Sequence, residues 1–221
     1  MERRIWAFWT TGNPMSENRL RGLESMRENF GVPVEFLDPA GIEAAAKAVG
    51  VPLHPAYRFL SGNHKSDYLR CYFLHHVGGG YADVKVYSKD NNWAETFDAM
   101  ERDPKIWLAG RAEVAGGSPF ANWNRTVPLA RLVSCGWLVA RGRTPFSHAW
   151  WTEANRILDR ALPELERHPA QSPRDKDEER TGYPLRWADL MGRPFHRLCF
   201  ELSPQHKSRT LRPGYVEEDY L

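Results

Sequence analysis

The residues best placed to do chemistry occupy two short runs. The first is His64-Lys65-Ser66-Asp67-Tyr68-Leu69-Arg70, and the second is Gly78-Gly79-Gly80-Tyr81-Ala82-Asp83-Val84-Lys85-Val86. In a helix advancing about 100° per residue, Asp67, Arg70, Cys71 and Leu74 share one side. Leu69, Tyr72, Phe73 and His76 fall opposite with core spacing. An acid and a base among largely apolar neighbours must be satisfied by each other or by a ligand. An exposed i, i+3 pair alone contributes only about 0.2–0.5 kcal/mol. The three glycines free the backbone to turn, and a strand then carries Asp83 to the end of a sheet. Lys85, two residues on, points to the same side. The guanidinium fork of Arg70 suits phosphate or vicinal hydroxyls, and the Lys85 ammonium suits a diphosphate.

Ser66, Asp67, Arg70, Gly78, Gly79, Tyr81 and Asp83 match, in order and spacing, the pattern S-D-x-x-R, apolar run, G-G-x-Y-x-D-x-D. The chain thus resembles the DXD-containing glycosyltransferases with a GT-A fold. More narrowly, it is similar to the retaining sugar-binding-region and capsular-polysaccharide-synthesis group, glycosyltransferase family 32-like. The opening Ile5-Trp6-Ala7-Phe8-Trp9-Thr10-Thr11-Gly12 fits the same group, and the likeness runs from about residue 4 to 87. The second Asp of DXD is here Lys85, a DXK variant.

The resemblance implies transfer of a sugar from a UDP- or GDP-sugar to a glycan or glycolipid acceptor, with retention of configuration. It implies a donor site of Trp9, Thr10, Gly12, Asp67, Arg70, Tyr81 and Asp83, with Arg70, Asp83 and Lys85 at the reacting centre. Trp9 is expected near the nucleobase, with a buried core position as the other reading. A divalent Mn²⁺ or Mg²⁺ on Asp83 is the family's cofactor. Lys85 either replaces it, or swings away while Asp83 recruits Asp90 or a residue near the C-terminus. The alternative function is an inactive nucleotide-sugar or glycan-binding protein that has lost its DXD. Cys135-Gly136-Trp137-Leu138-Val139-Ala140 and Thr144-Pro145-Phe146 resemble a further family segment, with Cys135, or Ser134 if the register slips by one, at its Asn position.

The 221 residues, 42% hydrophobic and 12% aromatic, fit one domain with a substantial core. A formal net charge of +2 is too mild to indicate nucleic-acid binding. Cys71, Cys135 and Cys199 are far apart and read as reduced thiols. No apolar run suggests a signal peptide or a transmembrane segment, so the expectation is a cytoplasmic enzyme of a bacterium or virus, free or peripheral to a membrane, or else an excised domain. His196 and His206 could contact phosphate or metal, although lone histidines are usually structural.

These residues need a scaffold that delivers them together. A strand over 4–10, a Ser16-capped helix to Asn29, a strand Val34–Leu37 and a helix from Asp38-Pro39 to Gly50 are predicted. A helix over 64–77 and a strand over 80–87 follow. This alternation predicts an α/β fold, GT-A-like, with a mostly parallel sheet flanked by helices. The chain reads as one domain, with a nucleotide-sugar half (1–90) and an irregular acceptor-side half (91–221). In that half we expect a helix at 93–100, strands at 106–110 and 133–140, and a helix from Pro145 to about Leu162. Residues 115–128 read as a long loop, and 164–180 as a charged loop or lid.

Overall fold

In a computed structural model, residues 1–87, 93–113, 128–129, 132–174 and 181–202 are described. The first strand, β1 (Ile5–Phe8), leads through α1 (Glu17–Asn29) to β2 (Val34–Leu37) and α2 (Pro39–Val49). A 3₁₀ turn (Pro55–Phe59) precedes α3 (Gly62–His76) and β3 (Gly79–Ala82). Then come α4 (Trp93–Arg102), β4 (Leu108–Ala112), β5 (Val133–Ala140), α5 (Pro145–Arg167) and α6 (Gly192–Glu201).

Local chemistry sets most boundaries. Ser16 caps α1 by accepting from Arg19 N–H, and Asp38 caps α2 by accepting from Gly41 N–H. Gly50, at φ +78°, ends α2 in the left-handed conformation. Thr144 and Ser147 form a reciprocal capping box at the start of α5. The α3–β3 turn requires glycine: φ is +86° at Gly78 and +104° at Gly79, and a Cβ at Gly80 would come within 2.5 Å of Ile5 Cδ1.

The sheet order is β2-β1-β3-β5-β4. β1 pairs parallel with β2 and β3, whereas β5 pairs antiparallel with both β3 and β4. Four strands therefore run one way and β5 alone runs against them. This is the mostly parallel α/β sheet expected. Ile5 and Ala7 pack with Leu23, Met26, Phe30, Trp93 and Phe97 on one face. Trp6 and Phe8 pack with Tyr68, Phe73, Phe146, Trp150 and Phe195 on the other.

Several expectations change. β3 ends at Ala82, so Asp83 and Lys85 follow the strand rather than lie in it. Asp67, Tyr68, Leu69, Cys71, Tyr72, Phe73, Leu74 and His75 are all buried, so α3 has no single core stripe. It is wedged between the sheet and α5, and a helix covered on both sides is buried all round. α5 continues to Arg167 through Pro163, past the expected start of the charged loop. The next stretch is tied down, with Ala170 N–H donating to Phe59 C=O and Asn63 N–H to Pro173 C=O. The expected loop over 115–128 falls almost wholly outside the described residues, as do Asp90, His206 and residues 175–180. No described helix is long and apolar enough to cross a membrane.

Candidate functional site

The strand order reverses between β1 and β3: the chain moves from β1 outward to β2, then returns to the other side of β1. Crevices outside the carboxyl ends of strands at such a reversal are where open α/β sheets bind ligands. Trp9, Thr10 and Gly12 leave β1 there, and Asp83 and Lys85 leave β3 beside them. Thr10 Oγ1 donates to Gly62 C=O at 2.8 Å, joining the end of β1 to the start of α3. Trp9 is half-buried and its indole N–H donates to Asn13 C=O. Trp6 is buried, stacks on Phe73 and donates to Gly78 C=O, as a core residue.

Arg70 is the hub. Its Nη2 lies 2.8 Å from Asp67 Oδ1 and 3.9 Å from Asp83 Oδ1. Its Nη1 donates to Cys135 C=O at 2.7 Å, and its guanidinium lies over the Tyr81 ring at 4.3 Å. Its Nε–H is buried with no hydrogen-bond partner among the described residues. Only 11% of this side chain is exposed. Burial works against its charge, but Tyr81, Asp67 and Asp83 hold the guanidinium's pKa above its ordinary value. Burial pushes the Asp67 carboxyl up, and Arg70 pulls it back.

Asp83 is the second centre. Its Oδ1 accepts from Tyr81 OH at 2.8 Å, and Tyr81 OH also lies 3.1 Å from Ser66 Oγ. Its Oδ2 lies 3.6 Å from Lys85 Nζ. A Cβ on Gly136 would come within 2.9 Å of that oxygen, so the glycine leaves room for the carboxylate. The segment carrying Lys85 is strapped to α1. Arg19 donates to Val84 C=O, Ser25 Oγ to Lys85 C=O, and Asn29 to Tyr87 C=O.

Asp67, Arg70, Tyr81, Asp83 and Lys85 thus form one connected group at the sheet's carboxyl edge. Asp83 does not fit a divalent cation among the described residues: Arg70 and Lys85 approach its two oxygens, and Asp67 is committed to Arg70. A cavity of about 740 Å³ lined by Arg4, Trp6, Glu35, Phe73, His76 and Arg143 lies at the opposite end of the strands.

Two further neighbours reach this group, of which the sequence marks Cys135 and His196 but gives His64 and Glu113 no role. His64 packs its Nδ1 2.9 Å from Tyr183 OH and its Nε2 3.1 Å from Arg186 C=O, bringing the 181–186 segment to the start of α3. Glu113, Cys135 and His196 converge behind Arg70. Burial opposes a charge on His196, but Cys135 and Glu113 outweigh it and raise the imidazole to about 10. The odd composition of Cys135 where an amide was expected was the available signal; Glu113 had none.

No protein-family profile matches the chain, and no curated protein matches it. Among solved structures it is similar to the PaToxG glycosyltransferase, with 12% identity and a TM-score of 0.50 over 92% of this chain and 70% of that one. Mouse xyloside xylosyltransferase 1 in its apo form aligns at 12% identity and TM-score 0.45, over 95% of this chain and 84% of that one. The chain shares its fold with the first of these.

Proposed function

We propose that the protein transfers a sugar from a nucleotide diphosphate sugar to a glycan or glycolipid acceptor. The observation that carries this reading is the Arg70 hub: two cations and two carboxylates meet at the switch of a fold shared with a glycosyltransferase, and the buried Nε–H of Arg70 has no partner among the described residues. Arg70 and Lys85 receive the diphosphate, and Asp67 and Asp83 take hydroxyls of the sugar and ribose. Trp9 lies under the nucleobase, with Thr10 and Gly12 beside it, and Tyr81 holds Asp83 in place through its hydroxyl.

Departure of the nucleotide leaves negative charge on the β-phosphate. Fixed cations facing that oxygen stabilise it without reorganising. The leaving phosphate accepts the acceptor's proton on the same face, which is the route to retention that the sequence resemblance implies. The protein then contributes position and charge rather than a base of its own.

The test is incubation with a panel of UDP- and GDP-sugars and glycan acceptors, following free nucleoside diphosphate in EDTA and in Mn²⁺. Acceptor-dependent release by the wild type, lost in Arg70→Ala, supports transfer. The contact of Lys85 with Asp83 favours one second reading, a binding protein without turnover. In that case nucleotide sugars raise the melting temperature while no diphosphate appears. Neither release nor thermal stabilisation with any donor overturns both readings.

A further inference from the structure

Glu113 follows β4, Cys135 lies in β5 and His196 lies in α6, yet their donor atoms all fall within 4.8 Å of one another. His196 Nε2 is 3.3 Å from Glu113 Oε2, 3.4 Å from Cys135 Sγ and 3.0 Å from Val133 C=O. His196 is fully buried and the Glu113 side chain is only 8% exposed. One ring nitrogen offers one hydrogen or one lone pair, so it cannot satisfy three such neighbours at once.

β5 is shaped to make this meeting. Leu138 and Ala140 face the α3 side, and Trp137 and Val139 face the α1 side. Simple alternation would put Cys135 and Val133 with Trp137, but both pack toward α3 instead. The register break opposite Gly110 and Ala112 is the bulge that turns them.

We infer that Glu113, Cys135 and His196, with the Val133 carbonyl as fourth donor, form a site for a zinc-class divalent cation. Tetrahedral zinc has bonds of about 2.3 Å to sulfur, about 2.0–2.1 Å to nitrogen and about 2.0–2.2 Å to oxygen, which sets nitrogen about 3.3 Å from oxygen and about 3.6 Å from sulfur. The observed 3.3 and 3.4 Å lie within a few tenths of an ångström of these values, and the 3.0 Å from Nε2 to the Val133 oxygen opens slightly as the ion enters. A set of one sulfur, one nitrogen and two oxygens selects zinc or cobalt over magnesium, which takes oxygen donors in octahedral geometry. As the ion binds, the Cys135 thiol and the His196 Nε2–H each give a proton to solvent, and the thiolate and carboxylate balance the ion's charge.

This site is separate from Asp83. It pins the ends of β4 and β5 to α6, and through the Cys135 carbonyl it fixes Arg70. The ion is a positioning element, and the inference stands whether or not the protein transfers sugar.

The experiment uses the full chain with Zn²⁺ and Co²⁺ as probes. The wild type, dialysed against Zn²⁺ and then buffer, is expected to retain about one equivalent. Co²⁺ in its place is expected to give a tetrahedral visible spectrum and a near-ultraviolet thiolate charge-transfer band. That band disappears in Cys135→Ser and persists in Cys71→Ser. Chelation lowers the melting temperature of the wild type, and Zn²⁺ but not Mg²⁺ restores it. Should the variants fail to fold, alkylation of wild-type thiols with and without Zn²⁺, mapped by mass spectrometry, still decides: the ion protects Cys135. No retained zinc, a cobalt spectrum without the thiolate band, or a band or protection unaffected at Cys135 overturns the inference, and leaves an imidazolium paired with Glu113.

Discussion

At the scale of single residues, Arg70 and Lys85 carry the reading. Arg70 makes three kinds of contact that a lysine cannot reproduce together: the Asp67 pair, the Cys135 carbonyl and the stack on Tyr81. Arg70→Lys keeps the charge, so the melting temperature is expected to stay within a few degrees. Loss of a charged hydrogen bond to the diphosphate should weaken nucleotide affinity by about 1.5–3 kcal/mol, measured by calorimetry. Unchanged affinity in the folded variant would return the pair to a structural role. Lys85 predicts metal independence. Transfer or donor binding by the wild type is expected to survive EDTA, because the ammonium already lies 3.6 Å from Asp83 Oδ2. Lys85→Asp should convert the same activity to one that needs Mn²⁺. Wild-type activity abolished by EDTA and restored by Mn²⁺ would show Asp83 gathering other ligands.

At the scale of elements, the cleft depends on helices that do not line it. Gly22 of α1 packs directly on the segment after β3, where a Cβ would lie 3.0 Å from the Lys85 carbonyl carbon. Backbone cannot give way as a side-chain tip can, so Gly22→Ala should shift Lys85 and cost nucleotide affinity while α1 itself gains helix propensity. Affinity equal to wild type would show that the strap tolerates the shift. The end of α3 predicts a pH effect. Burial first, then His76, His148 and Arg143, lower the His75 imidazole to about 4. An unfolded chain takes that proton near 6.5. Between these values the unfolded state binds more protons, so this group's stabilisation is complete above about 6.5 and falls as pH drops toward 4. His75→Gln, which can still meet Ser147, should flatten the acid limb of a melting-temperature profile over that window. An unaltered limb would assign it to other groups.

At the scale of the molecule, the sequence was most legible where local chemistry decides. Ser16, Asp38 and Gly50 marked helix ends, and Gly78-Gly79 marked a turn that needs positive φ. Asp67, Arg70, Tyr81 and Asp83, close in sequence, were legible as a group and lie together. What stayed hidden depends on distant pairing. The direction of β5, the all-round burial of α3 and the meeting of Glu113 with His196 are fixed by tertiary contacts that no periodicity encodes. α6 went unread as a helix; its Gly192 and Pro194 sit in its first turn, where they are tolerated.

The placement of β5 also sets an order of events during synthesis. β4 is made before β5 but is an edge among the described strands, where β5 is its neighbour in the order β2-β1-β3-β5-β4. A ribosome that has released residues only as far as Leu132 has delivered four strands that point the same way and a gap where the fifth belongs. The edge of β3 and both edges of β4 then offer unpaired amides to any passing strand. A nascent chain stalled there is expected to engage chaperones or aggregate, and one stalled after α5 is expected to resist protease, since Ala140 has by then closed against Gly79 and Leu108. Pulse proteolysis of the two stalled lengths would separate them.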